Sequence, residues 1–198
     1  MAIVVEHDKR KREILEKSLD IFVEEGYEDV TFQKIAERCG ITRTTLYIYF
    51  KNKQEIFLWS IKQLTSSLEE SLTSIISDTS LSCSDRLKGI LKAICEKCVE
   101  NRLLFSVLLN YLLNLQKMGK DPGERVRRRI LRLRHLLSTI IIEGINSGDF
   151  RPVDLKATNE MFYGMIESVI FRLAILDQKD VDQLFASFSL AVDGIMAR

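Results

Sequence analysis

Residues 31–53 read TFQKIAERCGITRTTLYIYFKNK. Thr31 and Thr42 each stand just ahead of a helix-compatible run, where a side-chain oxygen accepts a hydrogen bond from a free N–H of the first turn. Each is bracketed by an apolar pair at staple spacing, Val30 with Ile35 and Ile41 with Leu46. Gly40 follows Arg38 and Cys39, and a glycine there supplies the positive φ that ends one helix and turns the chain sharply. Ala36 is small enough for a close helix crossing. Asn52, with Glu55 three residues on, opens a third helix with a capping box. Two short helices joined by a tight turn are the layout of a helix-turn-helix, whose second helix enters a DNA major groove.

The recognition helix then runs from Arg43 to about Phe50. Leu46 and Phe50, four apart, face inward, which leaves Arg43, Thr44, Thr45, Tyr47 and Tyr49 outside. A guanidinium donates two parallel hydrogen bonds to guanine, and threonine bonds a base edge or touches a thymine methyl. Tyr47, Tyr49 and Lys53 suit phosphate oxygens, which fix register rather than read sequence.

The stretch ILEKSLDIFVEEGYEDVTFQKIAERCGITRTTLYIYFKNKQEIF, and above all its G-I-T-x-x-T-L-Y-x-Y-F-K-N-K core, resembles the N-terminal domain of the TetR family of transcriptional regulators over roughly Lys9 to Leu58. The resemblance implies an all-α homodimer with an N-terminal DNA-binding domain, residues 1–53, and a C-terminal effector-binding and dimerisation domain, residues 54–198. It sets Gln33, Arg43 and Thr44 where members contact bases. It sets Thr31, Thr45, Tyr47, Tyr49 and Lys53 where members contact phosphates. The chain departs from many members in carrying Ile48 or Tyr49 where a histidine is common, and Phe32 where a small or polar residue is common. The stretch EGINSGDFRP, residues 143–152, is similar to the junction between the seventh and eighth helices of the family.

Composition agrees. The 198 residues hold only two prolines, with abundant Leu, Ile, Glu, Lys and Arg, a balance that favours helices. Net charge is +1, so any DNA affinity depends on local charge. Lys9-Arg10-Lys11-Arg12 is read as a basic patch ahead of the first helix, able to reach the backbone or a minor groove. The acidic run Glu24, Glu25, Glu28 and Asp29 is expected to face away from the duplex. Ala2–Val5 is too short for a signal segment, and polar residues interrupt Leu103–Leu115. A cytoplasmic protein without membrane spans is expected.

About nine helices are expected: the three-helix N-terminal domain, then a long linking helix from Asn52 to about Ser77 and a C-terminal bundle. Residues 77–84 form a loop, with Ser84 capping the next helix, which carries a stripe from Leu87 to Val99. Further helices are expected over residues 101–117, from Gly123 to Asn146, from Asp154 to about Asp177, and from Asp180 to about Ala197. Met161–Leu176 is apolar almost all round, so one face should meet a second molecule. Gly164 and Ser168 would allow close approach there, and the last helix adds Val181, Leu184, Phe185 and Phe188. Met165, Val169, Leu184, Phe188 and Val192 are the candidate dimer-interface residues. A dimer would place paired readers on half-sites of a palindromic operator about one helical turn, or a multiple, apart.

An apolar effector site is expected among helices five to eight, with Phe105, Leu109, Tyr111, Leu112, His135, Tyr163 and Glu167 as candidate lining. A ligand there would alter the separation of the two recognition helices and release a repressor from its operator. Cys95 and Cys98 lie on the apolar stripe and read as core residues rather than a redox pair or metal ligands. Arg125, Arg127, Arg128, Arg129, Arg132 and Arg134 read as a solvated helix face. Two isolated histidines and the lack of a glycine-rich phosphate loop argue against an enzyme, and no metal or cofactor is expected. The other rival is a helical adaptor whose helix-turn-helix no longer binds DNA.

Overall fold

A computed structural model describes residues 2–121, 124–178 and 182–197, and for 2–5, 124–127 and 129 the backbone alone. The expected Gly123 helix start, Asp180 and Val181 therefore lie outside the described residues, as do the side chains of Arg125, Arg127 and Arg129. The all-α expectation holds. Nine helices are formed among the described residues: α1 (Ala2–Glu25), α2 (Phe32–Arg38), α3 (Arg43–Tyr49), α4 (Lys53–Ser77), α5 (Cys83–Glu100), α6 (Arg102–Lys117), α7 (Glu124–Ser147), α8 (Leu155–Ala174) and α9 (Asp182–Asp193). The chain divides into two compact units, Met1–Ser67 with Val107–Tyr111, and Leu68–Ser106 with Leu112–Arg198.

In the first unit, Ile14, Phe22, Val30, Ile35, Ala36, Leu46, Phe50, Ile56 and Phe57 form the buried centre. Phe22, Tyr27, Phe57 and Tyr111 make an edge-on aromatic cluster, with Tyr111 4.5 Å from Tyr27 and 5.1 Å from Phe57 between ring centroids. Gln54 Nε2 donates to the Tyr111 hydroxyl over 2.8 Å. Burial, more than its neighbours' charges, pushes the Tyr27 hydroxyl up to about 12.

The basic residues Lys9–Arg12 lie within α1 rather than ahead of it, a correction to the sequence reading. The preceding residues continue the helix, and no capping residue marks a later start. Arg10 pairs with Glu13 at 2.9 Å. Lys11 places its ammonium 4.5 Å from the centroid of Trp59 and 5.3 Å from that of Phe50. Lys62 approaches the same indole at 4.3 Å. Long basic side chains thus cover aromatic faces with their stems while keeping the charge near water.

In the second unit, α5 is the central element, with Leu87, Ile90, Leu91, Ile94, Cys95 and Cys98 all buried against α7, α8 and α9. Ser82, not Ser84, caps this helix. Its hydroxyl oxygen accepts from the Asp85 N–H at 3.0 Å, and Asp149 accepts the Cys83 N–H at 2.7 Å. Those two partners secure the first turn, so Ser84 lies inside the helix and is buried. All four cysteines are free and buried. Desolvation pushes the Cys95 and Cys98 thiols up to about 12, which keeps them protonated, consistent with a packing role. Arg86, 4% exposed, is held through its two terminal nitrogens, which donate to Ile76 O at 2.7 Å, to the Glu143 carboxylate at 2.6 Å and to Cys83 Sγ at 3.0 Å, while its Nε is buried without a hydrogen-bond partner. A buried guanidinium without such partners would be strongly destabilising.

The α7–α8 junction folds back on itself. Gly148 adopts φ +83°, and the Phe150 N–H returns to Gly144 O at 2.9 Å. The Phe150 ring then lies over Gly144. Arg151 and Ala197 donate backbone hydrogen bonds to Ile195 and Asp149, each at 3.0 Å, pinning residues 195–197 to this junction. α8 ends at Ala174 rather than continuing to Asp177, which takes φ +48° in the turn that follows.

A Cβ at Gly144 would fall 2.1 Å from Phe150 Cδ2. Alanine normally stabilises a helix by about 1 kcal/mol over glycine, but overpacking a closed core costs about 1–3 kcal/mol. With a clash this deep the second effect wins. Gly144→Ala should lower the urea-unfolding free energy by about 1–2 kcal/mol.

Candidate nucleic-acid interface

The two short helices are fastened by the caps the sequence announces. Thr31 Oγ1 accepts from Lys34 N at 3.2 Å and Thr42 Oγ1 from Thr45 N at 3.1 Å. Each cap is worth about 1 kcal/mol. Cys39 ends α2, Gly40 takes φ +67°, and the Ile41 N–H reaches back to Ala36 O at 3.0 Å. The turn is thereby closed by backbone hydrogen bonds at a conformation that favours glycine. Leu46 and Phe50 anchor α3, 0% and 1% exposed.

What α3 leaves outward is Arg43, Thr44, Tyr47 and Ile48, all exposed, with Thr45 and Tyr49 half-buried. Arg43 donates to the Tyr47 hydroxyl at 3.1 Å and lies 5.6 Å from its ring centroid. Phe32, from α2, supports the other partner of this pair, its ring 4.6 Å from that of Tyr47. Thr44 stands exposed beside them. Gln33 is exposed on α2, its amide donating to Glu37 at 2.8 Å. Thr31 and Thr45 are engaged locally, Thr31 as a cap and Thr45 through a 2.8 Å contact with the Thr42 hydroxyl. Tyr49 stacks on the exposed His7 of α1, 4.7 Å between centroids.

Lys53 has a second engagement. Its ammonium donates to Tyr27 O, Glu28 O and Val30 O at 2.8, 2.9 and 2.9 Å, so three carbonyls of the α1–α2 connection take its three protons. It also lies 4.6 Å from the Tyr27 ring centroid. The acidic run is bound up next to it: Glu25 pairs with Lys34 at 2.5 Å, and Glu24 pairs with Arg38. The hydrogen bond from Arg38 holds the Glu24 carboxyl below its ordinary range. Those carboxylates tie α1 to α2. The engagements of His7, Lys11 and Lys53 escaped sequence reading, because each joins residues at least 23 positions apart.

The candidate effector residues are dispersed. Tyr111 belongs to the aromatic cluster of the first unit. Phe105, Leu109 and Leu112 are half-buried along α6. His135 is exposed and borders an open cleft of about 310 Å³ with Glu69, Thr73, Ile76, Arg132, Leu136 and Thr139. Tyr163 is 8% exposed, with Arg134 4.4 Å over its ring and Glu167 beside it. Burial first, and Glu167 second, push its hydroxyl up to about 12. Of the arginine cluster, Arg132 pairs with Glu69 at 3.4 Å and Arg134 with Glu160 at 2.6 Å.

Of the candidate interface residues, Val169, Phe188 and Val192 are buried in the core of the second unit, and Met165 and Leu184 pack against it half-buried. The outward stripe of α8 is instead Met161, Gly164 and Phe171, continued by the C-cap Ile175, all exposed, and nothing approaches the Cβ position of Gly164 within 4 Å. Leu190 of α9 is 74% exposed.

Lys53→Met would leave three carbonyl acceptors without their shared cation. The midpoint of unfolding of the first unit should fall by an amount corresponding to about 2–3 kcal/mol, measured by urea titration in the absence of DNA. A residue engaged only with phosphate would leave that midpoint unchanged.

Comparison with known proteins gives one family. The profile described as "Bacterial regulatory proteins, tetR family" matches residues 14–58, and that described as "Tetracyclin repressor-like, C-terminal domain" matches residues 80–171. The fatty acid metabolism regulator protein of Bacillus subtilis is 23% identical over 176 residues, covering 86% of this chain and 89% of its own. The HTH-type transcriptional repressor KstR2 of Mycolicibacterium smegmatis is 27% identical over 144 residues, covering 72% and 68%. The crystal structure of a TetR transcription regulator from Haloarcula marismortui superposes with a TM-score of 0.84 at 22% identity, over 96% of this chain and 99% of that one. With both halves of the family pattern matched around a helix-turn-helix whose second helix is capped, anchored and outward-facing, the chain belongs to the TetR family of transcriptional regulators.

Proposed function

We propose that this DNA-binding regulator is a cytoplasmic repressor that holds a palindromic operator as a dimer and releases it when a small apolar or amphipathic effector binds. The observation that carries the reading is the outward face of α3, where Arg43, Thr44 and Tyr47 are exposed above an anchor of Leu46 and Phe50. Arg43 and Thr44 read base edges, joined by Gln33 from α2. Tyr47, Tyr49, Thr31, Thr45 and Lys53 serve the phosphates, Lys53 through its charge or by exchanging one carbonyl. Residues 1–53 form the reading domain, and residues 54–198 hold the effector and the second subunit.

The exposed stripe Met161, Gly164, Phe171 and Ile175, with Leu190, supports pairing through α8 and α9, and the inward Val169, Phe188 and Val192 brace that surface from below. No described helix is long and apolar enough to cross a membrane. An effector of lipid character is supported by the B. subtilis relative, a regulator of fatty acid metabolism. α6 contributes Val107–Tyr111 to the first unit and its remaining residues to the second, so a ligand that shifts α6 acts on both.

Selection of duplexes from a random pool by the purified chain tests the reading. Two-fold symmetric sites are expected, with half-sites about one helical turn or a multiple apart and affinity falling steeply with salt. Arg43→Ala should relax the preference at one base pair by about 1–3 kcal/mol, whereas Tyr47→Phe should weaken all duplexes alike. Equal losses for Arg43→Ala on every duplex would remove its base-reading role. Long-chain fatty acids should be titrated into the complex first, with release of DNA as the readout.

A further inference from the structure

Ile48 is 69% exposed, on a helix of seven residues. Among the described residues of the first unit, the exposed large hydrophobics are Ile48 and Tyr47, and both belong to α3. Tyr47 has neighbours in Arg43 and Phe32. Ile48 does nothing for the core, and as a β-branched residue it adds little to helix propensity. A single exposed aliphatic residue on a protein surface needs no explanation. Its direction on the helix gives this one a meaning.

At about 100° per residue, Ile48 lies about 200° round α3 from the buried Leu46, and Thr44 lies about 160° round. The two therefore straddle the line pointing straight away from the core, while Arg43 and Tyr47 occupy one flank. If α3 enters the groove with its anchor side outermost, Thr44 and Ile48 reach deepest. The major-groove floor offers an aliphatic side chain one apolar feature, the C5-methyl of thymine.

We infer that Ile48 is a specificity determinant that packs on the C5-methyl group of a thymine in each half-site. The inference rests on the reading of α3 as the groove helix. It assigns the chain a preference for thymine over cytosine at one position, independent of any hydrogen bond.

Replacing thymine by deoxyuridine removes only that methyl group and leaves every hydrogen-bonding atom in place. In the best duplex selected by the wild-type chain, each thymine is replaced in turn and affinity is measured for wild type and Ile48→Ala. Removing one buried methyl should weaken wild-type binding roughly threefold to fivefold per half-site at one position. Ile48→Ala should show that loss already with thymine, and no further loss with deoxyuridine there, the non-additivity expected of direct contact. Ile48→Gln serves as a second variant, and circular dichroism confirms that both fold. The inference is overturned if wild type tolerates deoxyuridine everywhere, or if the penalty persists undiminished in both variants. A failure to select any duplex at low salt would instead remove the groove reading of α3, and this inference with it.

Discussion

A helix of seven residues has no stability of its own in water, because nucleation is unfavourable and too few hydrogen bonds follow to repay it. α3 exists only because Leu46 and Phe50 are held in the centre of the first unit and Thr42 caps the open end. Everything outward on that helix inherits its position from those fixtures. Placing a recognition surface on so short an element makes it rigid only in proportion to the packing beneath. That explains why the most completely buried side chains of the first unit include Phe22, Phe50, Phe57, Ile14, Ile35 and Leu46.

Charge is organised on the same scale. The chain is close to neutral, so a field strong enough to attract a polyanion comes from local arrangement. The acidic side chains at the end of α1 are drawn into pairs with Lys34 and Arg38, which fasten α2 to α1 and balance those carboxylates. Lys53 closes the α1–α2 connection through carbonyls and carries its charge at the same place. A single cation thus ties three carbonyls of one connection together, and substitution there frees all three at once.

Local grammar made most of the fold legible. Thr31, Thr42, Asn52 and Asp154 are caps whose signal lies within four residues, and each forms as the spacing predicts. The resemblance across residues 9–58 carried the family. Reading failed where the deciding partner is distant in sequence. Ser82 prevails over Ser84 because Asp149, 66 residues away from Cys83, takes the first free N–H of α5. The basic cluster Lys9–Arg12 has the composition of an arm, yet the same residue types are good helix formers and lie within α1. Tyr111, a candidate for pocket lining, has partners in Tyr27, Gln54 and Phe57, none of them near it in sequence. Apolar periodicity on α8 and α9 identified helices that bury one face, and only tertiary packing decides which one.

The sole tryptophan of the chain, Trp59, is flanked by the ammonium groups of Lys11 and Lys62 within the first unit. An indole's emission responds to nearby charge and to solvent, and no second indole contributes background. Its fluorescence is therefore a built-in optical gauge of the α1–α4 packing alone. Loosening of the reading unit can be followed by eye of the spectrometer while the larger unit stays dark at that wavelength.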